Sequence, residues 1–349
     1  MWVEKTSRSS GKTYYYNTKT KQTTWKKPAD FEDVKQKKAV SDAYAAMAEN
    51  STEVTRLNTK SIRGWNNKIK RYLIDNYCGG GLGEIKVLDL ACGRGGDTGK
   101  ILRHMCVRRY RGIDISNGAI TEAIKRSEVH NKYAAALDFN VQDITTDTPY
   151  NTWNPMEKLP GQPYYTARLI GENYDATEHH FKTINMQYAF HYCCKTKKMA
   201  TGVLSRIRDS LSPFYGTWIG TVPNAERVQQ AIDNKYKLPS FCRITPSKRW
   251  KGNGRFGDPY MFFLQDCVPN VEEYLVPKND LIDMAKRLGL SVKVYMNAGD
   301  FLEKETNRRI GNEPNVSRFD YFRGDEEDEL NWNVTCLYDV FVFTKDVKE

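Results

Sequence analysis

A glycine-rich turn at residues 93–96 carries the clearest chemical signal in this sequence. Residues 85–90 are a run of mostly apolar residues with one acid, Asp89, and the segment ACGRGGD follows at residues 91–97. A buried strand, a glycine turn and a helix in that order let the backbone approach a ligand at the carboxyl end of a sheet. The pattern therefore predicts a nucleotide-type site at this turn.

Two further acids help to identify the ligand. Asp114 lies 21 residues after Gly93, at the end of the next predicted strand, where it can accept hydrogen bonds from ribose hydroxyls. Asp143 ends the third predicted strand and suits a contact to an adenine edge. The dinucleotide pattern G-x-G-x-x-G/A requires Gly or Ala where Thr98 stands, which disfavours NAD. An acid inside the first strand is instead typical of S-adenosylmethionine enzymes. The alternative is that these residues form a tight turn that binds no ligand.

The surrounding pattern predicts an α/β fold, because strands and helices alternate from about residue 60 onward. Such alternation indicates a parallel-type sheet with helices on both faces. The predicted strands cover residues 85–90, 110–115, 139–143, 182–189, 215–221, 292–295 and 335–343. The predicted helices begin at about residue 97 and otherwise cover 31–50, 117–129, 199–211 and 281–288. Residues 151–173 and 300–333 are expected to be loops, with the acidic run at 325–329 solvated.

Bulk composition limits the function classes. The chain has 349 residues with a formal charge of +10, and residues 1–28 alone hold seven Lys or Arg against one acid. An anionic partner for this N-terminal segment is therefore plausible. The eight cysteines form no C-x-x-C pair, so we expect no zinc site and a reducing compartment. We also expect no signal peptide and no membrane span.

Six segments, in order, resemble the family of mRNA cap guanine-N7 methyltransferases, and the resemblance runs from about residue 55 to the C-terminus. They are IRGWNNKIK at 62–70, the glycine turn, QYAFHY at 187–192, IGTVPN at 219–224, EEYLV at 272–276 and YDVFVF at 338–343. The resemblance implies a Rossmann-like class I fold and S-adenosylmethionine as cofactor. It departs from the family at Ala91, where Gly is usual, and at Arg94, where Lys is common.

The resemblance also assigns roles by position. The residues implied to contact the cofactor are Lys70, Ala91, Gly93, Asp114, Asp143, Gln187 and Tyr192. The residues implied to bind and position the cap are Asn66, Asn67, Arg94, Lys100, Arg126, His191, Glu273 and Tyr338. Guanosine N7 carries a lone pair and no proton, so no catalytic acid or base and no metal is expected. Glu273 suits the guanine N1 and N2 edge, and the three cations suit the cap triphosphate.

The N-terminal segment resembles a WW domain through Trp2, the run YYYN at 14–17, TTW at 23–25 and Pro28. Strand alternation turns Tyr15 toward Trp2 and Pro28. The opposite face then forms an aromatic groove for a polyproline-type ligand, built from Tyr14, Tyr16, Thr23 and Trp25.

The loop SRSSG at residues 7–11 resembles that of parvulin-type prolyl isomerases, which binds phosphoserine-proline. Ser7 and Arg8 would then hold the phosphate. The phosphorylated C-terminal tail of RNA polymerase II is the expected partner of this module.

These expectations combine into one organisation. A small three-stranded WW module at 1–30 and a linker or helix at 31–54 precede a methyltransferase domain at 55–349 that acts on the capped 5′ end of mRNA in the nucleus. Two alternatives stay open: a methyltransferase for another RNA position or for protein, and a WW adaptor with an inactive methyltransferase fold. The basic cluster Lys248, Arg249, Lys251 and Arg255 is either a solvated loop or a contact to RNA downstream of the cap.

Overall fold

The computed structural model describes most of the chain. The described residues are 2–18, 20–26, 28, 39–44, 46–47, 57–79, 85–103, 107–130, 136–150, 180–310 and 326–346. Residues 2–24 contain an antiparallel sheet in the order β1-β2-β3, formed by β1 (Trp2–Thr6), β2 (Thr13–Asn17) and β3 (Thr23–Thr24). This sheet confirms the predicted three-stranded module.

The rest of the described chain contains ten strands and eight labelled helices. The strands are β4 (Ile85–Leu90), β5 (Val107–Asp114), β6 (Ala136–Val141), β7 (Thr183–Met186), β8 (Thr217–Pro223), β9 (Cys242–Pro246), β10 (Pro259–Leu264), β11 (Val268–Tyr274), β12 (Leu290–Asn297) and β13 (Tyr338–Lys345). The helices are α1 (Lys60–Tyr77), α2 (Thr98–Leu102), α3 (Asn117–Ser127), α4 (Lys197–Ser210), α5 (Ala225–Ile232), α6 (Lys278–Arg287), α7 (Ala298–Ile310) and α8 (Glu326–Cys336). Among the described helices, none is long and apolar enough to cross a membrane.

Seven strands form the central sheet, in the order β12-β13-β8-β7-β4-β5-β6. The five strands from β8 to β6 are parallel, which confirms the predicted α/β class. β13 runs antiparallel to both β8 and β12, so the sheet is mixed. This order brings the carboxyl ends of β4, β5, β7 and β8 to one edge, which we call the carboxyl edge.

Buried side chains cover both faces of this sheet. One cluster includes Ile62, Trp65 and Ile69 from α1, and the other includes Leu204 and Ile207 from α4. Apolar residues three and four positions apart on each helix produce these stripes. The helices therefore hold the carboxyl edge in place from two sides.

A second, smaller sheet was absent from the prediction. Strands β9, β10 and β11 pair antiparallel in the order β11-β10-β9, and Tyr260 in β10 pairs with both Pro246 and Glu273. Its inner face packs into the same core as α1 through Ile244, Tyr260 and Phe262. This sheet delivers Glu273 to the site described below.

The prediction of loops at residues 300–333 was wrong where the structure describes them. Residues 298–310 and 326–336 are the helices α7 and α8. The acidic residues 326–329 form the first turn of α8 rather than a solvated loop, and Asp328 is buried. Carboxylates at a helix N-terminus are stabilised by the positive end of the helix dipole, which explains this placement. The predicted loop at 151–173 lies outside the described residues.

Smaller differences affect element boundaries. The predicted strand at 182–189 ends at Met186, and Phe190–Cys193 form a 3₁₀ turn instead. The last strand begins at Tyr338 rather than at residue 335, because α8 extends to Cys336. Residues 39–44 and 46–47 are helical, within the segment predicted as a helix at 31–50.

Candidate active site at the carboxyl edge

The turn after β4 is organised around Asp114 at the end of β5. One carboxylate oxygen of Asp114 accepts the Gly93 backbone N–H at 2.9 Å, and the other accepts the Ser116 N–H at 2.8 Å. Gly93 has a φ of 53°, which favours glycine. Ala91 adopts a φ of 55°, also in the left-handed region. This explains why the resemblance expects glycine at that position.

A buried carboxylate lies beneath the turn. Asp89 accepts hydrogen bonds from the Tyr110 hydroxyl at 2.7 Å and from the Asn185 amide at 2.8 Å. Burial and, to a smaller extent, the nearby Asp97 charge raise the pKa of Asp89 to about 7, although the two donors oppose the shift. The Gln187 amide donates to Asn185 at 2.8 Å, and the Gln187 Oε1 is buried without a hydrogen-bond partner. An acceptor is therefore available beside the turn.

Two predicted cations share one acid. The Nζ atoms of Lys70 and Lys100 lie 2.9 Å and 2.7 Å from the same oxygen of Asp97. Burial alone would raise the pKa of Asp97, but the two ammonium groups hold it below its usual value. Lys70 was predicted to contact the cofactor, and Lys100 was predicted to contact the cap. In the structure both lysines bind the same carboxylate.

Glu273 occupies a second buried pocket. Its Oε1 accepts from the Tyr192 hydroxyl at 2.8 Å, and its Oε2 accepts from the Tyr260 hydroxyl at 2.7 Å. The His191 Nε2 lies 3.2 Å from Oε1, and the His191 Nδ1 is buried without a hydrogen-bond partner. Tyr192 was predicted on the cofactor side, whereas its contacts group it with Glu273.

Two aromatic rings stand beside this pocket. Tyr188 and Tyr338 lie with ring centroids 4.7 Å apart and planes nearly perpendicular, at 87°. The Tyr188 N–H donates to the Thr221 hydroxyl at 2.8 Å, and its φ is 54°. Burial raises the pKa of Tyr338, with a smaller contribution from the Glu273 charge. The predicted role of Tyr338 in cap binding stays a prediction.

Tyr44 extends the hydrogen-bonded group around Glu273. Its hydroxyl lies 2.8 Å from the hydroxyl of Tyr192. Burial raises the pKa of Tyr44, and the charges of both Glu273 and Asp114 raise it further. Residues 185–192 join the turn to this pocket, because Asn185 bonds to Asp89 beneath the turn and Tyr192 bonds to Glu273.

The remaining predicted residues differ in exposure. Asn66 and Asn67 lie side by side on α1, where Asn66 has a buried Oδ1 without a hydrogen-bond partner and Asn67 is exposed. Arg94 is exposed in the glycine turn. The Arg126 guanidinium binds Glu122 at 2.9 Å on the same helix, so a phosphate would have to replace that pair.

Asp143 lies two residues beyond the end of β6, where its Oδ1 accepts the Thr145 N–H at 2.9 Å and the Thr145 hydroxyl at 2.7 Å. This fixes the orientation of the carboxylate that was predicted to face an adenine.

Several residues of the site were missed by the sequence reasoning. They are Asp97, Tyr110, Asn185, Tyr260 and Tyr44. Only Asp97 carried a local signal, because it ends the glycine segment. The others come from distant segments that meet only in the folded chain.

The N-terminal sheet presents the predicted aromatic face. Tyr14 and Trp25 lie with ring centroids 5.6 Å apart, and Trp25 is 63% exposed. Tyr16 pairs with Thr23 across the strands. In the first loop, the Ser7 hydroxyl lies 3.1 Å from that of Ser9.

Comparison with known proteins agrees with this architecture. Residues 29–346 match the model of the mRNA (guanine-N(7))-methyltransferase domain, and residues 1–28 match the WW domain. The mRNA cap guanine-N(7) methyltransferase of Saccharomyces cerevisiae is 28% identical over 309 residues, covering 81% of this chain and 64% of the relative. That of Lodderomyces elongisporus is 26% identical over 322 residues, covering 81% and 53%. The chain thus spans about half to two thirds of the length of these relatives. Because the first match extends over most of its residues, the chain belongs to the mRNA (guanine-N(7))-methyltransferase domain family.

Proposed function

We propose that this chain transfers a methyl group from S-adenosylmethionine to N7 of the guanosine cap of mRNA. The observation that carries the proposal is Glu273, a buried carboxylate fixed by two tyrosine hydroxyls next to the glycine turn. Membership of the family supports it, as do the names of the relatives. S-adenosylmethionine supplies an electrophilic methyl group bound to a positively charged sulfur.

The residues of the turn fit this cofactor. Asp114 is oriented by backbone N–H groups at the end of β5, and its carboxylate keeps acceptor capacity for a ribose hydroxyl. The Gln187 Oε1 is a buried acceptor without a partner. We assign cofactor binding to Lys70, Ala91, Gly93, Asp114, Asp143 and Gln187.

The Glu273 pocket fits the guanine edge. Each oxygen of a carboxylate has two acceptor directions. The hydroxyls of Tyr192 and Tyr260 use one direction on each oxygen, and the His191 Nε2 lies 3.2 Å from Oε1. A guanine donor would therefore share Oε1 with His191, while the second direction on Oε2 stays available for the other donor. We assign His191 and Tyr338 to the same base, together with Tyr192. The hydroxyl pair therefore orients Glu273 without saturating it.

Chemistry at N7 needs no proton transfer. The ring nitrogen uses its lone pair to form the new N–C bond, and the bond from carbon to sulfur breaks with its electrons leaving on sulfur. The side chains therefore act by holding the base in line and by opposing the positive charge that the purine gains. Glu273 supplies that opposing charge in a site from which burial excludes water.

The cap triphosphate requires cations near this pocket. Arg94 is exposed in the turn. Lys100, further along the chain, forms an ion pair with Asp97. We assign both to the triphosphate, with Arg126 after release from Glu122. Asn66 and Asn67 on α1 complete the assigned cap contacts. Each cation would form charge-assisted hydrogen bonds with phosphate oxygens.

The WW domain is assigned a recruiting role. Its exposed Trp25 beside Tyr14 suits a proline-containing segment, and the loop with Ser7 and Arg8 suits a phosphate. We propose phosphoserine-proline segments such as the RNA polymerase II tail as its ligand, which implies action in the nucleus. Tyr16 and Thr23 would line the same groove.

Position mapping tests the proposal. The full chain is incubated with methyl-labelled S-adenosylmethionine and capped RNA, and the digested product is compared with cap standards. We expect the label in 7-methylguanosine. Label in an internal nucleotide or in added protein would favour the alternative methyltransferase, and no transfer would favour an inactive adaptor.

A further inference from the structure

The loop between β9 and β10, residues 247–258, lies next to the Glu273 pocket. Pro246, which ends β9, pairs with Tyr260, and Tyr260 pairs with Glu273. The loop therefore leaves the small sheet at the level of the proposed guanine contact.

The first residues of the loop bind Glu272, which directly precedes Glu273 in the sequence. The Ser247 hydroxyl donates to Glu272 at 2.6 Å, and the Arg249 guanidinium binds the other oxygen of the same carboxylate. The Tyr274 hydroxyl donates to Glu272 at 3.1 Å. Glu272 points to the opposite side of β11 from Glu273, so this anchor leaves the pocket untouched.

The far end of the loop returns to the same region. Gly257, with a φ of 80°, lies so close to the chain that a Cβ there would be 3.0 Å from the Lys195 carbonyl oxygen. Lys195 follows the turn that carries His191 and Tyr192. Gly254 approaches Gln229 on α5, which begins just after β8 ends at the carboxyl edge. The loop thus borders the site at both of its ends.

Three cations of this loop are free to bind an anion. Lys248, Lys251 and Arg255 are exposed, and none has a carboxylate within ion-pair distance among the residues described. The backbone is held by turn hydrogen bonds, from the Trp250 N–H to Ser247 at 2.9 Å and from the Asp258 N–H to Arg255 at 3.1 Å. Cations on an ordered loop lose less conformational entropy on binding than cations on a mobile one.

We propose that Lys248, Lys251 and Arg255 bind the phosphates of the RNA strand that follows the cap. This inference rests on the proposed function, because it extends the substrate beyond the cap itself. A capped transcript continues from the triphosphate as a chain with one negative charge per nucleotide. The loop supplies positive charge at the border of the pocket, and no base-specific contact is required.

The test compares two substrates on the full chain. One is a cap dinucleotide, and the other is a capped RNA of about 20 nucleotides, with KM measured from about 50 to about 200 mM salt. The test variant is K248A/K251A/R255A. The matched control is K286A/R287A/K293A, which removes the same residue types from exposed positions. Lys286 and Arg287 end α6, and β12 begins shortly afterwards at Leu290. Leu290 pairs with Lys345, which is at the other end of β13 from Tyr338.

Each phosphate contact on a single strand contributes about 0.7 to the slope of log affinity against log salt. Three lost contacts should lower the slope for capped RNA by about 2. The ratio of the test variant's KM to the wild-type KM should therefore fall roughly 15- to 20-fold from the low to the high end of this salt range. The dinucleotide KM should change less than about twofold in the test variant, and the control should match the wild type.

The outcomes separate two failures. Equal salt slopes for the wild type and the test variant on capped RNA would overturn the phosphate contacts while leaving the cap site intact. A variant impaired equally on both substrates would also overturn them, since the loop would then act only through the pocket. No methylation of either substrate by the wild type would instead reject the proposed function. A wild-type slope in K248R/K251R/R255K would support charge rather than shape.

Discussion

Carboxylates withdrawn from solvent dominate the site at the scale of single residues. Asp89 and Glu273 are buried and Asp114 is half-buried, and each is held by hydroxyl, amide or backbone donors. Buried acids without partners are costly, and donors fix their orientation. Each of the three can therefore be tested by a substitution.

Glu273→Gln should impair guanine recognition and opposition to the developing positive charge. Glutamine keeps the size but turns one acceptor into a donor, which faces either a tyrosine hydroxyl or a guanine N–H. We expect kcat/KM for capped RNA to fall roughly 100-fold or more, with little change in S-adenosylmethionine affinity. The control is Glu305→Gln, a buried glutamate that binds Asn76 and Arg308 outside the site. Normal turnover by Glu273→Gln would remove it from the guanine edge.

Asp114→Ala should weaken cofactor binding. The substitution removes the acceptor assigned to the ribose and also frees the Gly93 and Ser116 N–H groups. We expect a loss of roughly 1.5–3 kcal/mol in S-adenosylmethionine affinity by calorimetry, the scale of hydrogen bonds to charged groups. Unchanged affinity in a folded variant would show that Asp114 only shapes the turn.

Asp89→Asn should change how stability depends on pH. The folded protein keeps the Asp89 proton up to about pH 7, whereas the unfolded chain releases it near the usual value of 3.8. The wild type therefore loses stability as pH rises through this window, by roughly 1.4 kcal/mol per pH unit from this group. Asparagine has no such proton and can still bond to Tyr110 and Asn185. In denaturant unfolding, the free energy of unfolding of the variant should increase relative to that of the wild type from pH 4 to 7. Above pH 7 the difference should stay constant. A constant difference from pH 4 to 7 would contradict the buried, protonated Asp89.

Residues of the site differed in how far the sequence could predict them. Asp114 was predicted from its type and its spacing from the glycine turn, whereas Glu273 was predicted from a segment that resembles the family. Tyr44 and Tyr260 have no such motif, because they reach Glu273 and Tyr192 only through packing of distant segments. Tyr192 belonged to a recognised motif, yet the side of the site it faces depends on where the small sheet lies.

At the scale of elements, the parallel strands were predictable and the small sheet was not. A mostly apolar run before the glycine turn marked β4, because such a strand is buried on both faces, and the acid at its end marked β5. Strands β9–β11 bury one face only, and their pairing depends on turns rather than on a continuous apolar run. Helix α8 was missed because its acidic first turn reads as a solvated segment when the helix dipole is ignored.

The WW module should prefer phosphorylated ligands. Arg8 is exposed in a loop that the Ser7 side chain also borders, and the same module carries the Tyr14 and Trp25 groove. In the full chain we expect a phosphoserine-proline peptide to bind more tightly than its unphosphorylated form, and Arg8→Ala to remove most of the difference. Trp25→Ala should abolish binding of both peptides. Equal binding of both peptides by the wild type, measured by fluorescence anisotropy, would refute the phosphate contact.

At the scale of the whole molecule, the chain matches two family models, one for each of its modules. The WW domain at residues 1–28 is proposed to bring the enzyme to a partner, and the family domain at 29–346 holds the candidate active site. The chain covers 64% of the Saccharomyces cerevisiae relative and 53% of the Lodderomyces elongisporus relative. The proposed activity is therefore tested on the site itself, with a cap as substrate.

The proposed activity requires that N7 of guanosine accept the methyl group. In a cap dinucleotide built with 7-deazaguanosine, a C–H replaces N7 and the N1 and N2 edge that Glu273 is assigned to recognise stays the same. The measurement is methyl transfer from labelled S-adenosylmethionine to the normal and the 7-deaza dinucleotide, with binding of each determined in parallel. We expect the two dinucleotides to bind comparably and only the normal one to be methylated. Methylation of the 7-deaza dinucleotide at the normal rate would show that the methyl group goes to another atom.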